Sequence, residues 1–180
     1  VGILSNSQPN GTTFCDVRIQ YTTTPEGKPI EKGILTGLLP NIIYPIWQPH
    51  ISAYPQDLVK KDQKALSIKG PKFMHILAPC PPGWRYDASQ TIEVGKMAVK
   101  TGIWAMYERE YDSLTLSGPT KAAMIKPAPL EDYLKMQGRF SSISEDAYQG
   151  DRGAIERNLR ILKAETEGTC GWSPGRGDLQ

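Results

Sequence analysis

One thiol stands out for its setting. Cys80 closes the run His75-Ile76-Leu77-Ala78-Pro79-Cys80 and is followed by Pro81-Pro82-Gly83-Trp84. Thiolates are nucleophiles and soft metal ligands. Here the neighbours Pro79, Pro81 and Pro82 have fixed φ and no backbone donors, which predicts a loop that does not coil into a helix around the sulfur. A single thiol completes no metal site, so if Cys80 is a ligand its companions come from elsewhere. The plainer reading of a lone cysteine is a small buried hydrophobe. Cys15 and Cys170 have no partner at ligand spacing and read as inert thiols. His75 lies inside an apolar run and reads as a core imidazole. His50, beside Pro49 in a strand-to-helix connection, is the better placed of the two histidines for chemistry. Asn6 and Gln8 read either as turn residues or as ligand contacts. Trp84 and Arg85 either shield and tune a metal centre or cap the core. No general acid or base stands out.

The thiol must be held by the elements around it. Lys72 to Ala78 is near-continuously apolar, the pattern of a parallel strand covered on both faces. That puts Cys80 at the carboxyl end of a strand, where open α/β sheets keep their sites. Upstream, Ile34 to Leu39 reads as a helix end stopped at Pro40, and Ile42 to Trp47 as a strand with an irregularity at Pro45. Pro55 suits the first turn of a helix reaching Ile68, with Leu58, Val59 and Leu66 as its packing face. Downstream, Asp87 or Ser89 caps a helix that runs to Thr101 and is ended by Gly102, and Ile103 to Tyr107 predicts the next strand. This β-α-β-α-β rhythm predicts an α/β fold, a mostly parallel sheet with helices on both faces. Leu114 to Leu116 and Ala122 to Ile125 read as short strands of an antiparallel edge, and Pro127-Ala128-Pro129 as a linker. Leu130 to Met136 reads as a short helix ended by Gly138, and Ala154 to Glu167 as an amphipathic last helix. Residues 1–126 thus form one unit, and 127–180 a carboxyl-terminal helical arm packing on the core or on a partner subunit. Residues 1 to 33 are rich in small polar groups, either a solvent loop or an ordered loop facing a ligand.

Bulk composition narrows the partners. At 180 residues, 39% hydrophobic and 22% charged, the chain suits one soluble domain with a proper core. A formal net charge of +2 is too balanced to argue for nucleic acid or an anionic membrane. The apolar runs fall short of the roughly 20 residues of a membrane-spanning helix, and no signal-peptide pattern opens the sequence. The odd cysteine count of 3 speaks for reduced thiols and a cytoplasmic location. Val1 in place of an initiating methionine reads as a processed, truncated or incomplete polypeptide. A dinucleotide domain is disfavoured, because no Gly-x-Gly-x-x-Gly follows a candidate strand.

Four strings then add up: Tyr21-Thr22-Thr23-Thr24-Pro25, Ala53-Tyr54-Pro55-Gln56-Asp57-Leu58, Leu77-Ala78-Pro79-Cys80-Pro81-Pro82-Gly83-Trp84-Arg85 and Tyr133-Leu134-Lys135-Met136-Gln137-Gly138-Arg139-Phe140. In this order and spacing the chain resembles the carboxyl-terminal half of the β subunit of 2-oxoacid:ferredoxin oxidoreductases, particularly the pyruvate and oxalate members, over roughly residues 5 to 165. The Cys80 loop and Gln137 to Phe140 are the specific parts; the Thr-Pro and Tyr-Pro pieces are weak alone.

The resemblance implies a thiamine-diphosphate-binding fold, with residues 1–126 as the carboxyl-terminal half of the cofactor domain. It implies thiamine diphosphate, Mg²⁺ and a 4Fe–4S cluster as cofactors, oxidative decarboxylation of a 2-oxoacid, and electrons passed through the cluster to ferredoxin. Coenzyme A commonly accepts the acyl group in that family, and other oxidoreductase subunits complete the enzyme. Cys80 falls on the family's cluster ligand. Asn6 is the best match to an asparagine beside the cofactor and the reacting carbon, with Gln8 near it, and Val1 falls near a position whose backbone carbonyl binds Mg²⁺. An ungapped comparison anchored on Gln8 would put Leu4 at the asparagine instead, a departure that leaves the choice of 2-oxoacid open. The family's Gly-Asp-Gly motif and Cys-x-x-Cys pair are absent from these 180 residues, so the resemblance implies that the rest of the cluster and pocket is supplied from elsewhere. A chain that keeps the fold without the cofactor, as an assembly subunit, is the competing expectation.

Overall fold

Strand β1 (Ile46–Ile51) is the axis of the fold. In the computed structural model, which describes residues 46–69, 72–110 and 113–168, β1 pairs in parallel with β2 (Lys72–Leu77) on one side. On its other side it pairs antiparallel with β3 (Tyr107–Glu110), which pairs antiparallel with β4 (Ser113–Leu116). The order among the described residues is β2-β1-β3-β4, with Ile46 opposite Lys72 and Ile51 opposite Leu77. The fold is α/β, and among the described residues the sheet is mixed, with one parallel pair and two antiparallel ones, rather than mostly parallel as expected.

The helix and second strand of the first crossover form where the sequence predicts, but β1 runs on to Ile51, past the Trp47 at which the sequence ended it. Helix α1 (Pro55–Ser67) carries Pro55 in its first turn, where a missing N–H costs nothing, and ends where Ile68 turns extended. Its packing face is not the expected one. Val59 and Leu66 are 53% and 79% exposed, and the buried residues are Lys61 and Ala65. Asp57 pairs with Lys61 at 2.8 Å and accepts from Ser117 Oγ at 2.9 Å, so an ion pair and a small alanine seat this helix where the aliphatic residues were expected to.

Below β2 the helix α2 (Pro81–Trp84) is a single turn, followed by a 3-10 turn at Ala88–Gln90 and by α3 (Thr91–Lys100). Asp87 accepts from the Ser89 backbone N–H at 2.8 Å, the cap the sequence suggested. Helix α3 approaches β1 at Gly95, where a Cβ would stand 2.6 Å from the Ala53 Cβ and 3.3 Å from Ile51 Cδ1. Only a residue without a side chain allows that distance.

The expected strand at Ile103 to Tyr107 is instead a buried connector, with only Tyr107 reaching β3. Its backbone bonds run to the flanking helices rather than to a neighbouring strand, and Trp104 N–H donates to Ala98 C=O of α3 at 2.9 Å. Met106 N–H donates to Thr120 Oγ1 at 2.8 Å, and Met106 C=O accepts from Ser117 N–H at 3.0 Å. Those bonds divert the chain across the core and bring β3 back antiparallel. The strand expected at Ala122 to Ile125 is likewise helical, in α4 (Gly118–Ile125). Ser117-Gly118-Pro119 opens it, and Ala122 and Ala123 favour the helix.

Helix α5 (Leu130–Lys135) leads through a 3-10 turn at Gly138–Phe140 into α6 (Glu145–Thr166). This last helix starts well before the predicted Ala154. Ser144 caps it by accepting from Ala147 N–H at 3.3 Å, and its glycines at 150 and 153 break the apolar pattern without breaking the helix. Side chains alternate across a strand, so the contacts of β3 place helices on both faces. Glu108 and Glu110 meet Lys64 of α1 on one face, and Arg109 meets Glu165 of α6 on the other. Between them lies a core of Val94, Trp104, Met106, Tyr107 and Tyr133, each at most 2% exposed. Burying an apolar side chain of this size stabilises by about 1.5–3 kcal/mol.

Candidate functional site

Strand β2 delivers Cys80 to the position just ahead of α2. The prolines do not prevent a helix there, contrary to the sequence expectation. Pro81 and Pro82 occupy first-turn positions, where a helix needs no donors, and their fixed φ is already helical. Cys80 C=O accepts from Trp84 N–H at 2.9 Å and Pro81 C=O from Tyr86 N–H at 3.2 Å. Arg85 closes the turn in the left-handed region at φ 58. Pro79 is buried and the Cys80 thiol is exposed. A free cysteine is among the residues most often buried, so this one departs from the bland reading.

The second specific string of the sequence lies against the first. Gly138 N–H donates to Arg85 C=O at 2.9 Å. A Cβ on Gly138 would stand 3.0 Å from Arg85 Cβ and 3.1 Å from its carbonyl oxygen, which is why a glycine occupies the place. The Gln137 amide, 2% exposed, donates from Nε2 to Tyr133 C=O at 3.0 Å and accepts from Arg139 Nε at 2.8 Å. Arg139 is thereby turned under the Cys80 helix. Its guanidinium carbon lies 3.9 Å from the centroid of the Trp84 ring and 4.6 Å from that of Phe140.

Burial pushes Arg139 below the usual guanidinium range, and Tyr133, Tyr86 and Cys80 act in the opposite sense, in that order. Guanidinium nonetheless stays protonated in proteins. Tyr86 is raised, chiefly by burial, with Thr91 lowering it and Cys80 raising it. Trp84 links the two strings, since its ring stacks on the Arg139 guanidinium and its backbone N–H donates to the Cys80 carbonyl. Beside the Gln137–Phe140 turn opens a cleft of about 660 Å³ lined by Lys135, Phe140, Tyr148 and Arg152 among others.

Val1, Asn6, Gln8, Cys15 and Cys170 lie outside the described residues. The structure brings Cys80, Trp84 and Arg85 together with Gln137 to Phe140. His75 is set apart, edge-on to Trp104 at 5.0 Å, with burial pushing it down to about 4. His50 lies within β1, opposite Ile76, rather than in a loop. Sequence reasoning assigns no role to Arg139. Its signal was present in the Gln137-Gly138-Arg139-Phe140 string, but its stacking on Trp84 is tertiary.

For an iron–sulfur cluster the fit is partial and consistent. The chain offers one accessible thiolate on a braced turn. Trp84 Nε1 in the same turn is a buried donor with no acceptor among the described residues, and cluster sulfurs accept such bonds. No group of three His, Cys, Asp or Glu gathers among the described residues, so a cluster at Cys80 would need its other ligands from outside them. Among those residues, too, no helix is long and apolar enough to cross a membrane.

Fold and site define an α/β domain in which a surface thiol is backed by a buried cation. No protein-family model matches the chain. Curated proteins do. It is 38% identical over 113 residues to pyruvate synthase subunit PorB of Methanocaldococcus jannaschii, covering 61% of this chain and 36% of that protein. It is 37% identical over 127 residues to the PorB subunit of Methanosarcina barkeri, covering 68% and 42%. To ketoisovalerate oxidoreductase subunit VorB of Pyrococcus horikoshii it is 37% identical over 112 residues, covering 62% and 35%. These relatives are β subunits of 2-oxoacid:ferredoxin oxidoreductases, and the chain is homologous to them over about 60% of its length. The match spans 36–42% of the pyruvate synthase relatives' own length.

Proposed function

We propose that this chain is a component of a 2-oxoacid:ferredoxin oxidoreductase and that Cys80 supplies one thiolate of a 4Fe–4S cluster, the other three coming from outside the described residues. The observation that carries the reading is the exposed Cys80 thiol, fixed at the start of a proline-braced turn that rests on the Gln137–Phe140 segment. The names of the relatives support the reaction class: pyruvate synthase and ketoisovalerate oxidoreductase subunits. Other subunits of such an enzyme are the proposed partners, with a ferredoxin as acceptor and pyruvate, oxalate or a branched 2-oxoacid as substrate.

When bound, the cluster supplies one-electron transfer, and thiamine diphosphate with Mg²⁺ supplies the decarboxylation. This chain's own part is positional. Cys80 presents its sulfur, α2 and Arg85 hold the turn rigid, and Asn6, Gln8 and the Val1 carbonyl are assigned to the cofactor side. The test is Cys80→Ala in the native multisubunit complex, purified anaerobically, with iron per complex and the reduced cluster's magnetic resonance signal as readouts. The expected result is loss of, or damage to, one cluster. Unchanged iron and an unchanged signal would remove the assignment.

A further inference from the structure

Gly83 is a glycine that its own backbone does not call for. It lies within the turn α2, and the glycines of positive φ among the described residues are Gly102 and Gly168. In a helical turn glycine is the least favourable residue after proline. What its missing side chain spares is the thiol. A Cβ on Gly83 would stand 3.2 Å from Cys80 Sγ and 3.7 Å from Cys80 Cβ. Outside its chain neighbours and the helix backbone, no other described atom comes within 4 Å of that point. At 3.2 Å the sulfur would have to give way by a few tenths of an ångström, or turn to another staggered rotamer about 120° away. The backbone has little room to yield instead. Pro81 and Pro82 fix φ, and Trp84 N–H is bonded to Cys80 C=O at 2.9 Å.

We infer that Gly83 is a positioning residue for Cys80: it leaves one flank of the thiol bare, and so fixes the direction in which Cys80 offers its sulfur to an iron–sulfur cluster. The inference rests on the reading of Cys80 as a ligand. Binding constellations tolerate misplacement of only about 0.5 Å. A methyl group at position 83 competes with the sulfur for the same space, so ligation loses occupancy or geometry. The turn itself is kept, because alanine is the better helix former. That separation of ligation from fold sets Gly83 apart from Gly138, whose Cβ would press on the Arg85 backbone oxygen at 3.1 Å and whose role is structural.

The experiment compares the anaerobically purified native complex of the parent with those carrying Gly83→Ala, Gly153→Ala and Cys80→Ala. Iron per complex, the reduced cluster's magnetic resonance signal and subunit content are the readouts. Gly153 is the control, a glycine of α6 whose Cβ position has nothing else within 4 Å. With subunit content unchanged, G83A is expected to lose part of the iron of one cluster or to shift its signal, and G153A to match the parent. An assembled G83A complex with the parent's iron and signal overturns the inference. A G83A chain that fails to assemble also overturns it, because the glycine then serves the fold, and so does a G153A complex altered as much as G83A. The two claims fail separately. Iron and signal retained in Cys80→Ala sink the ligand assignment, whereas iron lost in Cys80→Ala with G83A matching the parent sinks only the role of Gly83.

Discussion

The fold buries two cations to almost the same degree and treats them differently. Lys61 of α1 is 7% exposed and Arg139 is 8% exposed. Lys61 lies 2.8 Å from the Asp57 carboxylate, itself anchored by the Ser117 hydroxyl. Arg139 is held by the neutral Gln137 amide and by the faces of Trp84 and Phe140. The first arrangement neutralises its charge and ties a helix to the strand pair β3–β4. The second sets the guanidinium between ring faces, a neutral amide and Tyr133, and joins the Gln137–Phe140 turn to the turn that carries Cys80. Equal burial therefore says nothing about role; the chemistry of the contacts does. Lys61 fixes a helix to the sheet through a carboxylate, and Arg139 fixes one turn to another through ring faces and an amide.

The comparison breaks most visibly at Asp57. Asp57→Ala strands the Lys61 ammonium, whose side chain is only 9% exposed, and removes the acceptor of Ser117 Oγ. Burial already lowers Lys61, with Asp57 holding it up, so the variant must deprotonate the amine or expose it. The expected loss is about 3–5 kcal/mol of stability, read as a fall in the urea midpoint of the purified protein. A loss below about 1 kcal/mol would mean that Lys61 reaches water, and that its pairing is not what makes its burial tolerable.

How far the sequence reveals this contrast can be judged at particular residues. Helix α1 and strand β2 are legible because Pro55, the break after Ile68 and the apolar run of β2 point the same way, whereas β1 is misplaced by several residues, its Pro49 and His50 reading as a loop. Cys80 is legible because its prolines are local. The polarity of α1 is not, since its buried face is made by Lys61, a residue that composition places on the surface. Ile103 to Met106 reads as a strand because a buried connector and a buried strand share one apolar pattern. Only the bonds from Thr120 and Ser117 tell them apart. The stacking of Arg139 on Trp84 joins segments far apart in the chain and has no local signature. The Gln137 to Phe140 string can be read as distinctive, but its contact with the Cys80 turn cannot.

His75 adds a third way of keeping a nitrogen base inside the fold: leave it uncharged. Burial pushes the imidazole down to about 4, and its ring sits edge-on to Trp104. An unfolded histidine titrates near 6.5. Between those values the unfolded chain takes up a proton that the folded chain refuses, so stability falls as the pH drops from about 6.5 towards 4 and is flat above that window. His75→Phe keeps an aromatic ring and abolishes the titration. The stability lost between pH 7 and pH 5 is expected to shrink by about 1–2 kcal/mol in the variant, measured by urea unfolding at both pH values. An identical loss in parent and variant would assign the acid sensitivity to other groups.

The smallest effect belongs to Lys61→Met, and it separates the two cations most sharply. Removing the lysine leaves Asp57, whose side chain is 24% exposed and whose Oδ1 still accepts from Ser117 Oγ, while the buried Oδ2 loses its partner. Methionine refills the volume of the aliphatic stem with a flexible apolar chain. Removing one partner of a buried pair leaves the other charge uncompensated, but Asp57 is the more exposed partner and the apolar stem is replaced, so the expected loss is about 1 kcal/mol, well below that of Asp57→Ala. Cluster properties should not move at all, because Lys61 serves the contact of α1 with the sheet. A Lys61→Met variant that lost as much stability as Asp57→Ala would show that the lysine charge, and not the carboxylate's, is what holds α1 to the sheet.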